Sequence, residues 1–284
     1  MLLNKIEHQQ KIKELKEKID KKIEENTKLI LYKKKLIQTF RLKNSYDSVI
    51  PLHLYTCWHG KDLPPLMKEN FDFLVDSNPK ISFHLYDEND CREFIRTHFK
   101  PDVVDAYDRL IPCSYKSDLW RYCVLFINGG MYMDIKFKCI NNFKLIALTE
   151  SEHFVRDIAN PAHPAGTLTG LMVCKPGNNI LFHCIRRIVD NVNNNFYGIS
   201  ALCPTGPALL GEYFTKNQKK QMNIHFENIF VYGRDNFYIV YNDGEKEILV
   251  FKIYDEYRSE QKVYQKNAYY ADLWNEKNIY GLTK

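Results

Sequence analysis

The feature of this sequence that most constrains its fold is a helix that must be buried on every side and that continues directly into a buried strand. Residues 117–138 read SDLWRYCVLFINGGMYMDIKFK, and between positions 119 and 127 the only charged side chain is Arg121. A helix that is apolar all round has to be covered by other elements. The Gly-Gly pair at 129–130 ends this helix, because glycine readily adopts the conformation of a helix C-cap. The segment therefore predicts a helix and a strand packed together inside a layered core.

The chain from about residue 48 onward alternates between strand patterns and helix patterns. Such alternation predicts an α/β domain with a mostly parallel sheet. We predict strands at 50–58, 81–86, 131–134 with a continuation at 137–140, and 171–174, followed by β-rich sequence over 224–254. Helices are predicted at 64–75, from Asp87 or Asn89 to 98, and at 101–110, 114–128 and 179–192.

Composition and cysteine spacing limit the classes of protein to which this chain can belong. The chain has 284 residues, of which 45% are hydrophobic and 26% charged, so it can form one large α/β domain or two small domains, and wholesale disorder is excluded. No stretch reaches about 18 apolar residues in a row, so we expect no transmembrane helix, and the first residues lack the apolar core of a signal peptide. The eight cysteines show no C-x-x-C spacing, and no N-x-Ser/Thr sequon occurs. Together these observations predict a reducing, cytosolic compartment.

The N-terminal segment differs from the rest of the chain in charge. Residues 1–45 contain 13 Lys/Arg and 6 Asp/Glu, a formal charge of +7, which leaves 27 basic and 29 acidic residues, or −2, on residues 46–284. We therefore divide the chain into a basic helical extension (1–45) and an α/β domain (46–284). Apolar residues follow helical spacing, with a seven-residue repeat at Ile23, Ile30 and Ile37. This pattern fits a solvated helix packed on its own domain, or a short coiled coil that mediates oligomerisation.

Two charged residues near the start of the buried helix, and one at the end of the strand, are candidate site residues. Asp118 and Arg121 lie three positions apart and share a helix face. Buried charges are costly unless they are paired or bind a ligand, so they form either a structural ion pair or a pair that binds a polyhydroxy ligand in a cleft. Asp134 follows the strand, and ligands of open α/β sheets bind beyond the carboxyl ends of strands. A simple turn cap is the alternative for Asp134.

These residues also occur, in the same order, in a known family. The pattern S-D-x-x-R-Y-x-x-L-x-x-x-G-G-x-Y-x-D over 117–134 resembles the signature of the glycosyltransferases with a DXD sugar-binding region. These are the family 32 enzymes, which include yeast-type α-mannosyltransferases, and the related glucosylating bacterial toxins. The segments 55–60 (YTCWHG), 63–65 (LPP), 78–87 and 205–207 (TGP) extend the resemblance over roughly residues 50–215. The variant DIKFK and a composition rich in Lys, Asn, Ile and Tyr most resemble the members found in giant DNA viruses.

The resemblance implies a GT-A fold, which is a Rossmann-like sheet that binds a nucleotide sugar, and it assigns roles to residues. Trp58 matches the tryptophan that stacks on the nucleobase, with a core tryptophan as the alternative. Asp118 and Arg121 match the pair that holds the hydroxyls of the donor sugar. Tyr132 and Asp134 match the ribose, sugar and metal side of the DXD motif. The other positions that it implies for donor binding are Gly130, Thr205, Gly206, Pro207, Tyr270 and Trp274.

Lys136 departs from the family pattern, which usually has a second aspartate at this position as a ligand of Mn²⁺ or Mg²⁺. Two carboxylates suit such a hard cation, and Asp134 alone is a poor site. If the strand continues, positions 134 and 136 share a face. Three interpretations follow: Lys136 replaces the metal as a fixed cation, a metal still binds through Asp134 and another carboxylate, or catalysis is lost.

A second departure lies near the C-terminus. Many members end in an element with His, Ser and two Trp residues that closes over the diphosphate, whereas residues 268–274 here read AYYADLW. Trp274 and Tyr270 could still close the site, and Asp272 is a candidate replacement metal ligand. The alternative is a C-terminal helix that docks through its aromatic side chains.

The resemblance predicts a retaining enzyme that moves a hexose-type sugar from a UDP- or GDP-linked donor to a hydroxyl of a glycan, a protein or another acceptor. No second carboxylate is placed as a nucleophile, which favours front-face displacement over a double displacement. The expected location is the cytoplasm, or the host cytoplasm or virion for a viral protein. Two alternatives remain: an inactive homologue that binds nucleotide sugars, and a nucleic-acid-binding protein that uses the basic extension, although no nucleic-acid motif occurs and no such partner is expected.

Overall fold

The computed structural model of the chain describes residues 2–36, 39–158, 166–231, 234–251, 256–265 and 268–282. Within these residues nine strands form one sheet, in the order β2-β1-β3-β6-β5-β7-β8-β9-β4. The strands are β1 (His53–Cys57), β2 (Ser82–Tyr86), β3 (Gly130–Met133), β4 (Phe137–Cys139), β5 (His153–Arg156), β6 (Thr167–Cys174), β7 (Ile224–Val231), β8 (Arg234–Tyr241) and β9 (Lys246–Phe251).

Helices connect these strands in the alternating order that the sequence predicts. They are α1 (Leu2–Leu36), α2 (Pro65–Ser77), α3 (Glu88–His98), α4 (Pro101–Arg109), α5 (Cys113–Asn128), α6 (Asn179–Asn193), α7 (Pro207–Gly211), α8 (Lys216–Lys220), α9 (Tyr257–Tyr264) and α10 (Tyr270–Asn275), with a short 3₁₀ helix at Leu145–Leu148. Local signals place several of these ends: Asp87 accepts a hydrogen bond from the Asp90 backbone at the start of α3, and Asn178 caps α6. The predicted α/β class is confirmed.

The sheet is mixed rather than mostly parallel. Among the described strands, the pairs β1–β2, β1–β3 and β5–β7 are parallel, and the other five pairs are antiparallel. The difference arises in the second half of the chain, where β7, β8 and β9 follow one another through short connections. Short turns can join only antiparallel neighbours. Parallel pairing is therefore concentrated in the first half, where helices cross between the strands.

Helix α5 and strand β3 form the centre of the domain, as the sequence predicts. Trp120 and Tyr122 of α5 are completely buried. In β3 the side chains alternate between the two faces of the sheet: Tyr132 joins the core that contains α5, whereas Met131 and Met133 join the core on the opposite face. The sheet therefore has an apolar layer on each face, and α5 forms the main wall of one of them.

Strand β3 does not continue into β4, contrary to the prediction. The chain turns at 134–136, where the Phe137 N–H donates to the Asp134 carbonyl at 3.1 Å, and β4 pairs with β9 at the far end of the strand order. The sheet must curl for two successive strands to lie in such distant positions. Asn70 of α2 fixes this turn, because its side-chain amide donates to the carbonyls of Ile135 and Phe137 at 3.1 and 3.0 Å.

The predicted N-terminal helix is present, and most of it stands clear of the domain. The side chains of residues 9–28 are exposed in the structure, including Ile12, Ile19 and Ile23. Helix α1 contacts the domain near its end, where the hydroxyls of Tyr32 and Tyr238 lie within hydrogen-bonding distance. Ile37, the last position of the seven-residue repeat, lies outside the described residues. Within those residues no helix is both long enough and apolar enough to cross a membrane.

Removing residues 1–28 is expected to change the midpoint of thermal unfolding by less than about 2 °C, because exposed side chains contribute little to stability. Removing residues 1–45 should lower it further, since Phe40 packs edge-on against Phe143 with ring centroids 4.8 Å apart and its N–H donates to Asn141. Circular dichroism melting of both truncations measures the difference. A large loss of stability in the shorter truncation would contradict the description of α1 as a projecting arm.

Candidate active site

A cavity of about 420 Å³ opens at the edge of the sheet where β1, β2 and β3 end and β6 begins. Because β1 and β3 are parallel neighbours, the residues that follow them, Trp58 and Asp134, both reach this edge. The volume lies within the range of about 300–1,000 Å³ that is typical of ligand sites. The cavity therefore occupies the position at which open α/β sheets bind their ligands.

Asp118 and Arg121 lie together at the base of the cavity, as the resemblance implies. Their side chains are buried, and Asp118 Oδ1 lies 3.3 Å from Arg121 Nη1. Asp118 also accepts a hydrogen bond from Thr205 Oγ1 at 2.8 Å. The pair is thus a structural ion pair that also lines the cavity, so the two interpretations of these residues are compatible.

Thr169 of β6 contacts this pair and was not found from the sequence. Arg121 Nη1 donates to its carbonyl at 2.9 Å and to its hydroxyl at 3.1 Å, and the hydroxyl also lies 3.4 Å from Asp118 Oδ1. Ser117 holds the opposite side of the guanidinium, with its Oγ 2.7 Å from Arg121 Nη2. Thr169 does not lie in a recognisable sequence motif. Its place in the site follows only from the pairing of β6 with β3.

Asp134 lies in the first position after β3 and joins the same cluster. Its Oδ1 accepts a hydrogen bond from Tyr132 at 2.7 Å and lies 3.6 Å from Arg121 Nη1. The Arg121 guanidinium lies over the Tyr132 ring, 4.3 Å from its centroid. Gly170 makes room for the carboxylate, because a Cβ atom there would lie 3.0 Å from Asp134 Oδ2.

Lys136 reaches the cavity from the turn between β3 and β4. Its Nζ lies 3.1 Å from Asp134 Oδ2 and 4.3 Å from the centroid of the Phe251 ring. A cation over an aromatic face is attracted by the electron density of the ring. The ammonium group is therefore held between a carboxylate and an aromatic ring. Residues 134–136 form a turn, and not the shared strand face that was predicted.

Trp58 follows β1 directly and also lines the cavity. It is half-buried, and it packs against a small apolar cluster that contains Met67, Ile135 and Tyr257. Its backbone N–H donates to the Tyr86 carbonyl at 3.0 Å, which continues the pairing of β1 with β2. Trp58 is thus partly exposed at the cavity.

The TGP turn contributes in two ways. Gly206 and Pro207 line the cavity, and a Cβ atom on Gly206 would lie 3.3 Å from Asp118 Oδ2. Thr205 is fully buried behind them and contacts Asp118, so it can act on a ligand only through that carboxylate. Gly130 belongs to β3 and does not line the cavity. Its predicted role in donor binding is therefore limited to shaping the backbone next to β1.

The predicted C-terminal site residues also differ in whether they line the cavity. Tyr270 lines the cavity and packs near Tyr115, with ring centroids 5.9 Å apart. Trp274 does not line it, because its indole N–H donates to the Tyr197 carbonyl at 2.8 Å and thereby fixes α10 to the domain. Asp272 is exposed on α10 and also lies outside the cavity lining. Tyr270 and Trp274 thus do not form the predicted lid together, and Asp272 does not join Asp134 in the cavity lining.

The acidic side chains that line the cavity are already paired with cations. Among the described residues they are Glu88, Asp118 and Asp134, which lie 2.6, 3.3 and 3.1 Å from Lys116, Arg121 and Lys136, respectively. No group of three or more His, Cys, Asp or Glu side chains in the described part of the chain is arranged to hold a metal ion. The cavity is therefore lined by three fixed ion pairs.

The two carboxylates of the cluster experience opposite electrostatic environments. Burial raises the pKa of Asp118, against the opposing effects of Arg121 and Thr205. Burial acts in the same direction on Asp134, but there the cations Lys136 and Arg121 prevail and lower its pKa. Asp134 is consequently the more firmly ionised of the two.

Comparison with known proteins identifies the same region. Residues 64–154 match the family described as "Glycosyltransferase sugar-binding region containing DXD motif". The chain is 24% identical over 186 residues to inositol phosphoceramide mannosyltransferase 3 of Schizosaccharomyces pombe, covering 65% of this chain and 50% of that protein. It is 26% identical over 96 residues to an uncharacterized glycosyltransferase of Acanthamoeba polyphaga mimivirus, covering 33% of this chain and 38% of that protein. The chain thus spans about half or less of the length of these curated relatives.

Solved structures give weaker similarities. The PaToxG glycosyltransferase aligns over 57% of this chain and 68% of its own, with a TM-score of 0.46 and 14% identity. The ligand-free glycosyltransferase domain of the YGT toxin aligns over 52% and 64%, with a TM-score of 0.38 and 12% identity. The matched sequence region contains helix α5, strand β3 and Asp134, which build one end of the cavity. The family match over residues 64–154 and the two curated relatives therefore support the resemblance to the family 32 glycosyltransferases that the sequence motifs implied.

Proposed function

We propose that this chain transfers a hexose from a nucleoside-diphosphate sugar to a hydroxyl group of an acceptor, with retention of the anomeric configuration. The observation that carries the proposal is the buried cluster of Asp118, Arg121 and Asp134, which lines the same cavity as Trp58. An aromatic face suits a nucleobase, and carboxylate and guanidinium groups suit sugar hydroxyls. The relatives named above support the class of reaction.

In this proposal each side chain contacts a different part of the donor. Trp58 stacks on the base, and Tyr132 and Asp134 face the ribose and the sugar. Asp118 accepts hydrogen bonds from sugar hydroxyls, since its carboxylate is fixed by Thr205 and Arg121 at the base of the cavity. A network that is already hydrogen-bonded before the donor arrives orients the sugar without further ordering of side chains.

The reaction that fits this cavity is a front-face displacement. The bond between the anomeric carbon and the diphosphate oxygen breaks, and its electron pair leaves with the diphosphate. The acceptor oxygen forms the new bond on the same face, and its proton passes to the departing phosphate oxygen. A double displacement would need a free carboxylate as nucleophile, whereas each acidic side chain in the described lining faces a cation.

A panel of UDP- and GDP-linked hexoses tests the proposed function. Release of the nucleoside diphosphate, with a ¹H NMR measurement of the anomeric configuration of the released or transferred sugar, should identify one preferred donor and show retention. Inversion would refute the mechanism. Calorimetric binding of a donor without turnover, under all acceptor conditions, would instead identify an inactive nucleotide-sugar-binding homologue.

Replacing Trp58 by alanine is expected to raise the KM for the donor by about ten- to a hundredfold while kcat changes little, because stacking of a base on an aromatic side chain contributes about 1–3 kcal/mol. Trp58→Phe, which keeps an aromatic face, should retain most of the affinity. Steady-state kinetics with the preferred donor measure both. An unchanged KM in Trp58→Ala would assign the indole to the apolar cluster with Met67 and Tyr257 rather than to the donor.

A further inference from the structure

The position at which a DXD-type enzyme holds its divalent cation is built differently in this chain. A hard cation such as Mn²⁺ prefers several oxygen ligands, usually including carboxylates. Here the second acidic position is Lys136, and no suitable group of three metal-binding side chains occurs in the part of the chain that the structure describes. Asp272, the candidate replacement, is exposed and lies outside the cavity lining. The residues present do not fit a divalent metal.

Asp134 itself has little capacity left for a metal. Its Oδ2 faces the Lys136 ammonium at 3.1 Å, and its Oδ1 accepts the Tyr132 hydroxyl at 2.7 Å and lies 3.6 Å from Arg121. A metal ion at either oxygen would displace one of these partners and would lie close to two positive groups. Such an arrangement is electrostatically unfavourable, because like charges a few ångströms apart repel each other.

Lys136 is held in place from three directions. Its Nζ is fixed by the Asp134 carboxylate and by the face of the Phe251 ring, at 4.3 Å from the centroid. The backbone on either side of it is fixed by Asn70, whose buried amide donates to the carbonyls of residues 135 and 137. A flexible lysine side chain on a turn would lose conformational entropy on binding a ligand, and the affinity for that ligand would be lower. The Lys136 side chain is already positioned before a ligand binds.

We infer that the Lys136 ammonium takes the place of the divalent cation, so that the chain binds and releases a nucleoside diphosphate without a metal. This inference rests on the proposed function. As the bond from the anomeric carbon to the diphosphate breaks, the electron pair remains on the phosphate oxygen, and the fixed positive charge stabilises it. Lys136 keeps its proton throughout, because the acceptor proton goes to the phosphate. Electrostatic groups that are fixed in advance need no reorganisation during the reaction.

The first test compares the full chain in EDTA with the full chain in Mn²⁺ or Mg²⁺. Calorimetric affinity for UDP and GDP, and the rate of transfer from the preferred donor, should each agree within about twofold between the two conditions. Loss of binding and transfer in EDTA, with recovery in Mn²⁺, would overturn the inference and leave the proposed function intact. Failure of every nucleotide and donor to bind under both conditions would overturn the proposed function, and this inference with it.

The second test changes the charge at position 136. Lys136→Met keeps an unbranched chain against Phe251, and we expect it to reduce kcat by about 10²- to 10³-fold, the usual effect of removing one fixed charge-stabilising group. Lys138→Met is the matched control: this lysine lies two residues further on, with its Nζ over the Phe73 ring and outside the cavity lining. Its rate should equal that of the wild type. Equal rates in the two methionine variants, both folded by circular dichroism, would contradict a role for the Lys136 charge.

The third test restores the acidic residue of the family pattern. Lys136→Asp places a second carboxylate beside Asp134, so its affinity for UDP or GDP should be weak in EDTA and should rise at least about tenfold when Mn²⁺ is added. This measurement needs no turnover, and the wild-type protein should show no such rise. A wild-type affinity that increases with Mn²⁺ as much as that of the variant would show that a metal site exists despite the lysine.

Discussion

Asp118→Asn is expected to reduce glycosyl transfer by about 10²- to 10³-fold and to leave the fold in place. The amide keeps the shape of the carboxylate but removes the negative charge that fixes Arg121 and accepts hydrogen bonds from the sugar. Loss of one fixed electrostatic partner of a reacting group commonly has an effect of this size. Steady-state kinetics with the preferred donor, together with circular dichroism melting, separate the effect on catalysis from any effect on stability.

The fold should survive this change for two reasons. Burial raises the pKa of Asp118, so the site disfavours the ionised form and a neutral amide removes that cost. Arg121 also keeps its hydrogen bonds to Thr169 and Ser117 and its proximity to Asp134. Asp102→Asn is a suitable control, because it removes the charge from another Asp–Arg pair, with Arg186, on the protein surface. Turnover of Asp118→Asn at the rate of the control would refute the role of Asp118.

Gly130→Ala should cause a large loss of stability. Gly130 has a φ of +98°, which L side chains rarely adopt, and a Cβ atom would lie 2.7 Å from the His53 carbonyl oxygen. The backbone strain alone costs about 1–3 kcal/mol. Because β1 and β3 are paired next to this position, relief of the clash would require the two central strands to separate.

Urea denaturation followed by circular dichroism measures this loss as a lower free energy of unfolding, by about 3 kcal/mol or more once the clash is added to the strain. Gly60→Ala provides the matched control, since a Cβ atom there would have no atom of the described residues within 4 Å and the backbone of Gly60 is not left-handed. Its free energy of unfolding should stay within about 0.5 kcal/mol of the wild type. Equal stability of the two variants would show that β1 and β3 can move apart without cost.

The parts of the fold that could be predicted from the sequence are those encoded by short-range patterns. Helix α5 was predictable because its apolar residues leave no face for solvent, and its end was predictable from Gly129. The placement of Asp118, Arg121 and Asp134 around one cavity followed from the helix spacing of three and from the end of β3. In each case the relevant residues lie within a few positions of one another.

The parts that could not be predicted depend on partners far away in the chain. The turn at 134–136 reads like a continued strand, because nothing local shows that β4 pairs with β9. Thr169 and Asn70 touch the site through a strand and a helix whose positions depend on the whole sheet. The same holds for Trp274: its aromatic side chain suits a lid, but the carbonyl of Tyr197 lies within reach of its N–H.

The pairing of β4 with β9 has a consequence for the order in which the active protein forms. Phe251, which holds the Lys136 ammonium, follows that lysine by about 115 residues, and it lies in the strand that also pairs with Phe137. Synthesis proceeds at about 5–20 residues per second, so a nascent chain carries the sugar-binding segment for roughly 6–23 s before the ring that completes it exists. During this interval the cluster of charges has no aromatic wall, and the site is complete only after β9 has been synthesised.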